Sequence, residues 1–171
     1  AVANGIRTAG LVMTKPHTSS AISGNYIDNC FIEWTNEHEA EPDFTGGFSF
    51  SAFSITDNVF LSGDVSSFFS YIVVKPHGTG HGIIGLSVSA NKFRSINGNI
   101  DRAERVDTSF ADLDYTRVKD IAFEGNSFHS INYQVSNPLL VSHSENSESS
   151  TWVVDTNSRL PFGAQARFVE S

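Results

Sequence analysis

The chain has 171 residues, 39% hydrophobic and 18% charged, enough apolar material for one domain with a real core and too much for a disordered polymer. A net charge of −8 repels phosphate backbones and argues against a nucleic-acid partner, and no apolar run approaches the ~20 residues of a membrane-spanning helix, so membrane insertion is not expected. The single cysteine, Cys30, excludes an internal disulfide.

In chain order, the first strand-like run is Leu11-Val12-Met13-Thr14, ending in Lys15-Pro16-His17. A second pattern begins at Ala21-Ile22-Ser23-Gly24-Asn25-Tyr26-Ile27. It returns as Phe53-Ser54-Ile55-Thr56-Asp57-Asn58-Val59-Phe60, as Leu86-Ser87-Val88-Ser89-Ala90-Asn91-Lys92-Phe93 and as Ile121-Ala122-Phe123-Glu124-Gly125-Asn126-Ser127-Phe128. The four asparagines are spaced 33, 33 and 35 residues apart. An apolar residue stands three before each (Ile22, Ile55, Val88, Phe123) and two after each (Ile27, Phe60, Phe93, Phe128). In the last three copies another stands five before (Phe53, Leu86, Ile121). A degenerate fifth copy is Trp152-Val153-Val154-Asp155-Thr156-Asn157, where Arg159 breaks the apolar position. The first run also has relatives, Ile72-Val73-Val74-Lys75-Pro76-His77 and, more weakly, Leu139-Leu140-Val141-Ser142-His143, so each coil is expected to hold at least two strands.

Alternation over a short run gives a strand with one buried face, and a lone strand cannot bury that face. Stacking the copies places like residues about 4.8 Å apart. The expected fold is therefore all-β, a right-handed single-stranded parallel β-helix of about four to five coils. Phe60, Phe93 and Phe128 form one interior column, Ile55, Val88 and Phe123 another, and Asn25–Asn58–Asn91–Asn126 a hydrogen-bonded ladder. Asn fits such a turn because it tolerates left-handed backbone angles. Residues 37–44 read as a polar excursion and 99–107 as one short helical turn, both between repeats. Coils are expected over residues 1–143, with a final coil and C-terminal cap over 144–171, where Pro161 and Gly163 break the pattern. The plain stretch 1–10 runs straight into a strand, which points to earlier coils upstream and to a C-terminal piece of a larger protein.

The repeated apolar-x-apolar-x-x-Asn-x-Phe unit, from residue 11 to residue 157, resembles the pectate-lyase-like superfamily of parallel β-helix proteins. That resemblance implies the fold, but not one chemistry: the superfamily includes polysaccharide lyases, glycoside hydrolases, epimerases, phage tail spikes and adhesins. The expected function is polysaccharide binding or processing by an extracellular or virion-associated protein. A structural stalk, with homotrimerisation allowed, is the first alternative, and a glycoside hydrolase the second.

Gly80-His81-Gly82 resembles the Gly-His-Gly segment of polygalacturonases and makes His81, with Asp57 and Asp64, the candidate catalytic set. Inverting hydrolysis needs two carboxyls about 6.5–9.5 Å apart. No Asp-Asp pair exists in the chain, and the family's downstream Arg-x-Lys segment is missing, since Lys92-Phe93-Arg94 has another order. His77 and His81 are separated by Gly78-Thr79-Gly80, so their spacing does not make a helical metal pair, and no resident cofactor is expected. Calcium is the one cation the resemblance allows, through Asp28, Glu33 and Asp64 or a polar column Asp64–Asn97–Asn132. Sugar binding needs exposed rings beside amides and carboxylates. Trp34, Tyr71 and Tyr133, with Glu33 and His77, are the candidate contacts, Tyr115 a further ring, and Glu37 and Glu39 nearby acids. Cys30 reads as a small buried hydrophobe.

Overall fold

A computed structural model describes residues 9–16, 19–47, 49–166 and 169–170. Its twelve strands are β1 (Ala9–Met13), β2 (Ser20–Ser23), β3 (Tyr26–Asp28), β4 (Phe31–Thr35), β5 (Phe50–Thr56), β6 (Val59–Gly63), β7 (Ile72–Lys75), β8 (Ile83–Ser89), β9 (Lys92–Ile96), β10 (Glu104–Val106), β11 (Lys119–Glu124) and β12 (Ser127–His129). They form three parallel four-stranded sheets, ordered β1-β4-β7-β10, β2-β5-β8-β11 and β3-β6-β9-β12. Three consecutive strands thus visit three sheets in turn, and the chain climbs as a parallel β-solenoid of about three turns.

The repeat becomes stacking in register. Ile22, Ile55, Val88 and Phe123 pair across the second sheet, as do Phe53, Leu86 and Ile121. Ile27, Phe60, Phe93 and Phe128 pair across the third. The Phe60 and Phe93 rings stack at 4.9 Å with planes 21° apart, and Phe93 and Phe128 at 5.7 Å and 19°. Apolar columns touching like on like fill the interior, so no helix is needed to cover it.

The asparagine ladder forms, and it has a direction. Each Nδ2 donates to the Oδ1 one turn on: Asn25 to Asn58 at 3.1 Å, Asn58 to Asn91 and Asn91 to Asn126 at 3.0 Å. The same Oδ1 also accepts the backbone N–H of the preceding Asn, at 2.9–3.0 Å. Of the two reasons expected for Asn, the coil-to-coil hydrogen bond holds and the left-handed backbone does not. The left-handed residue is the one before it: Gly24 (φ 71°), Asp57 (55°), Ala90 (56°) and Gly125 (65°). Asn is used for its amide, which joins two coils through one acceptor and one donor.

The expectation of at least two strands per coil is met by three, one in each sheet, and Phe31–Thr35 stacks between the related runs Leu11-Val12-Met13 and Ile72-Val73-Val74 in the first sheet. Two further expectations change. The stretch expected to make a helical turn contains β10, whose pairing with β7 gains ladder hydrogen bonds that an isolated turn could not match. Residues 139–143 and 152–157 form no strand. The place above β11 is taken by Asn137, which runs antiparallel to Phe123, exchanges both backbone hydrogen bonds with it and donates Nδ2 to the Ile121 carbonyl. That reversal ends the ladder before a fifth copy can stack. His17 lies outside the described residues.

At the top of the first sheet the core column Ile32–Ile72 ends in a carboxyl group: Glu104, in register with Ile72, is fully buried. Its Oε1 accepts from Arg102 Nε (2.9 Å) and Nη2 (2.6 Å) and from the Phe162 backbone N–H (2.9 Å). Arg102 also donates to the carbonyls of Ser158 and Leu160. This cluster ties the short 3₁₀ turn Pro161–Gly163 to β10.

Candidate functional site

Strand alternation in the first sheet turns Ile32, Trp34, Ile72 and Val74 inward. Glu33, Val73 and Arg105 therefore share the column on the opposite side of the sheet, and Thr35 and Lys75 the next, with Asp107 just beyond β10; Val73 and Thr35 are themselves buried, so the polar groups frame a covered centre. Strand spacing sets these rows about 4.8 Å apart along the solenoid. Two excursions flank the face. Residues 36–47 bring Glu37, whose Oε2 lies 3.9 Å from Lys75 Nζ and 3.7 Å from His77 Nε2. The chain after β10 brings Phe110. Asp107 Oδ1 accepts from the Ser109 N–H (3.1 Å) and hydroxyl (2.5 Å), a turn that delivers the following ring onto His77. The Phe110 and His77 rings stack at 4.1 Å and 20°, Lys75 Nζ lies 5.2 Å from the Phe110 centroid, and Phe110 keeps 63% of its surface exposed.

Asn36 positions His77. Its Oδ1 accepts the His77 N–H at 2.7 Å and its Nδ2 donates to the His77 carbonyl at 2.8 Å, so a side chain continues the β4–β7 ladder by one residue. His77 Nε2 is shielded from solvent and has no hydrogen-bond partner. Partial burial pushes the Asp107 carboxyl up, but the Ser109 hydrogen bonds and the charges of Arg105 and Lys75 outweigh it and hold the group below its ordinary range. The face thus combines an exposed ring, carboxylates at Glu33, Glu37 and Asp107, and cations at Lys75 and Arg105.

The expected site residues are dispersed. Glu33 and His77 belong to this face. Trp34 does not: it is buried, edge-on to Phe50 (5.2 Å) and Phe53 (4.9 Å), because its strand position points inward. Tyr71 is also interior, bonded to Ser62 Oγ (2.7 Å) and the Arg94 carbonyl (2.5 Å), with burial pushing its hydroxyl up to about 12. These two offer no stacking platform, which corrects that expectation. Tyr133 is exposed, on the turn after β12, away from Glu33 and His77.

His81 is fully buried against Phe44 and Phe50. Its Nε2 lies 2.6 Å from the Pro42 carbonyl, which only accepts, so the proton sits on Nε2. The flanking glycines have a packing reason. A Cβ at Gly82 would overlap Arg117, one at Gly78 the Pro42 carbonyl, and Gly80 (φ +80°) abuts Phe44. Asp57 is exposed at the far end of β5, and Asp64 one sheet further round. His81 precedes β8, in the turn stacked on the start of β5, so it is roughly 25–30 Å from Asp57 along the strands. The three candidates for hydrolysis are not gathered into one site.

Among the described residues, no three His, Cys, Asp or Glu side chains are grouped to hold a metal ion. Asp64 and Asn97 take equivalent left-handed turn positions, but Asn132 bonds Asn99 (3.1 Å) and Asp101 (2.9 Å) instead of extending that column. Cys30 is half-buried beside Gly10, and burial, then Asp28, raise its thiol.

Phe110, Lys75, Arg105 and Asp107 were not singled out from the sequence. Lys75 and Arg105 follow from alternation once their strands are known; no local signal marks Phe110, which reaches His77 only through its turn. The chain is a parallel β-solenoid with the shape of a β-helix. No protein-family model matches it, and no curated protein or solved structure matches it either.

Proposed function

We propose that the chain is the polysaccharide-interacting part of a pectate-lyase-like β-helix, borne by a larger extracellular or virion-associated protein, and that it binds sugar on the outer face of the first sheet. One observation carries this reading: Phe110, 63% exposed and stacked on His77 with Lys75 Nζ over its ring, beside Glu37, Asp107 and Arg105. Sugar C–H faces stack on exposed rings, while carboxylates and cations meet hydroxyls at fixed positions. Side-chain rows recur about every 4.8 Å along the axis, so a linear polymer lying along it meets polar groups at each turn. The reading is one of binding, because Asp57, Asp64 and His81 stand apart. A glycan array covering acidic and neutral polysaccharides tests it: at least one class should be retained, and silence across all of them would overturn it.

A second reading, a stalk that associates with further copies as a homotrimer does, is favoured by the stretch 139–154. It carries exposed Leu140 (90%), Trp152 (57%) and Val153 (83%) outside any strand. Sedimentation of the chain decides it: a trimer supports a stalk and a monomer removes it.

A further inference from the structure

The asparagine ladder stops at Asn126 with its upward donors unused. The amides below divide their hydrogens. Nδ2 of Asn58 and of Asn91 reaches down to the Ile22 and Ile55 carbonyls and, together with the backbone N–H, up to the next Oδ1. Asn126 Nδ2 makes the downward bond, to the Val88 carbonyl at 2.9 Å. Among the described residues, neither its second hydrogen nor the Asn126 backbone N–H has an acceptor. No further Asn stacks above, because the chain reverses at Asn137. A pocket of ≈ 200 Å³ opens there instead, between Phe123, Asn126 and Phe128 of the last coil and Gln134, Ser136 and Arg159 of the segment that follows. That segment is held by the Ser136 N–H on the Arg159 carbonyl (2.9 Å) and by Arg159 Nε on the Gln134 carbonyl (3.3 Å).

We propose that this pocket binds a small organic carboxylate: one oxygen takes the place of the missing Oδ1, on the Asn126 N–H and Nδ2–H, and the other meets the Arg159 guanidinium. The first half of this contact is built three times into the fold, where one sp² oxygen accepts the same two donors at 2.9–3.1 Å. A carboxamide fits less well. In the ladder its N–H bonds the carbonyl three residues before the Asn below. Here that carbonyl is Phe123's, which already accepts the Asn137 N–H at 3.0 Å. A carboxylate has no hydrogen to place. It also gains from Arg159, whose Nε is engaged and whose two Nη groups serve a charge-assisted bond. Glu124, exposed at the rim of the pocket, opposes the anion through water, where charges act weakly. The volume is below the ~300–1,000 Å³ of drug-sized sites, which selects an acid of a few carbons. The site lies at the turn between the second and third sheets, so it stands or falls independently of the outer face of the first.

The test is titration of the ¹⁵N-labelled full chain with sodium acetate, acetamide and sodium chloride at constant pH, read by amide shifts. Acetate should give saturable shifts centred on the backbone and side-chain amides of Asn126, with Kd on the order of 10 mM. Acetamide should bind about threefold more weakly or worse. Arg159→Gln, at an exposed residue, should weaken acetate about tenfold and erase its advantage over acetamide. Glu124→Gln should tighten acetate about twofold. Asn126→Asp keeps the Oδ1 that Asn91 uses and replaces the amide donor by a carboxylate oxygen, so it should abolish binding. If that variant folds poorly, the Arg159 variant decides alone. No saturable shift with acetate, equal shifts with chloride (an adventitious ion only), acetamide binding as tightly as acetate, or unchanged affinity in Arg159→Gln would overturn the proposal.

Discussion

Asn58 hands both its backbone N–H and its side-chain Nδ2–H to a single atom, Oδ1 of Asn91, each at 3.0 Å. Asn91 treats Asn126 the same way, so one residue type serves as acceptor for the coil below and donor to the coil above. Asn91 Nδ2 also reaches the Ile55 carbonyl at 2.9 Å. Asn91→Ala therefore strands several buried groups at once and should cost about 3 kcal/mol or more. Asn25→Ala, at the exposed end of the ladder, should cost only ~1 kcal/mol. Urea denaturation of the two variants measures the difference; equal losses would mean that the ladder carries no special weight.

The aromatic column makes a packing prediction. Phe93 is fully buried between Phe60 and Phe128, with Tyr71 5.6 Å away. Phe93→Ala should destabilise the fold by about 3–5 kcal/mol, and Phe93→Leu by clearly less, because a branched aliphatic refills part of the cavity. The midpoints of denaturation give both numbers directly.

The turn before the ladder predicts a stabilising substitution. Ala90 holds φ 56°, where Gly24 and Gly125 stand one turn below Asp57 and one turn above Ala90. A left-handed L-residue is strained, whereas glycine is not. Ala90→Gly should raise stability by about 0.5–1 kcal/mol despite the greater entropy of unfolded glycine. A lower melting temperature would contradict the assignment of strain to this position.

Glu104 sets a pH dependence. Burial raises its carboxyl above the ordinary 4.5, and Arg102 and the Phe162 N–H oppose this without cancelling it. The native chain thus holds this proton more tightly than the unfolded chain. Its contribution is complete below 4.5 and is lost as pH rises through the folded-state value. The stability advantage of the wild type over Glu104→Gln should shrink steadily from acid to neutral pH. Thermal melts of both proteins across that range check the sign; a growing advantage would show the carboxylate form to be the favoured one.

The second and third sheets were legible in the sequence and the first only in part: Leu11-Val12-Met13 and Ile72-Val73-Val74 read as the related strands β1 and β7, whereas β4 and β10 did not. Ile55, Val88, Phe60 and Phe93 recur at one spacing because every coil must present the same interior, and the Asn recurs because its hydrogen bonds join like to like. In the first sheet the inward positions read Ile32, Ile72 and Glu104, and no repeat announces a carboxylate inside. Trp34 was readable as interior from Ile32-Glu33-Trp34, had Phe31–Thr35 been recognised as a strand. His81 misled because Gly-His-Gly is a local motif, while the Pro42 carbonyl, Phe44 and Arg117 that give its glycines their purpose come from distant segments. The Phe110–His77 contact joins residues with no shared pattern and depends on two loops meeting over one face.

Isothermal titration of a retained polysaccharide against wild type and Phe110→Ala tests the sugar-binding face most directly. Phe110 is largely exposed, so its removal should leave stability within ~0.5 kcal/mol. Affinity should fall about tenfold, close to what one aromatic stacking contact supplies. Undiminished affinity in a normally folded Phe110→Ala protein would place the sugar elsewhere and contradict the account.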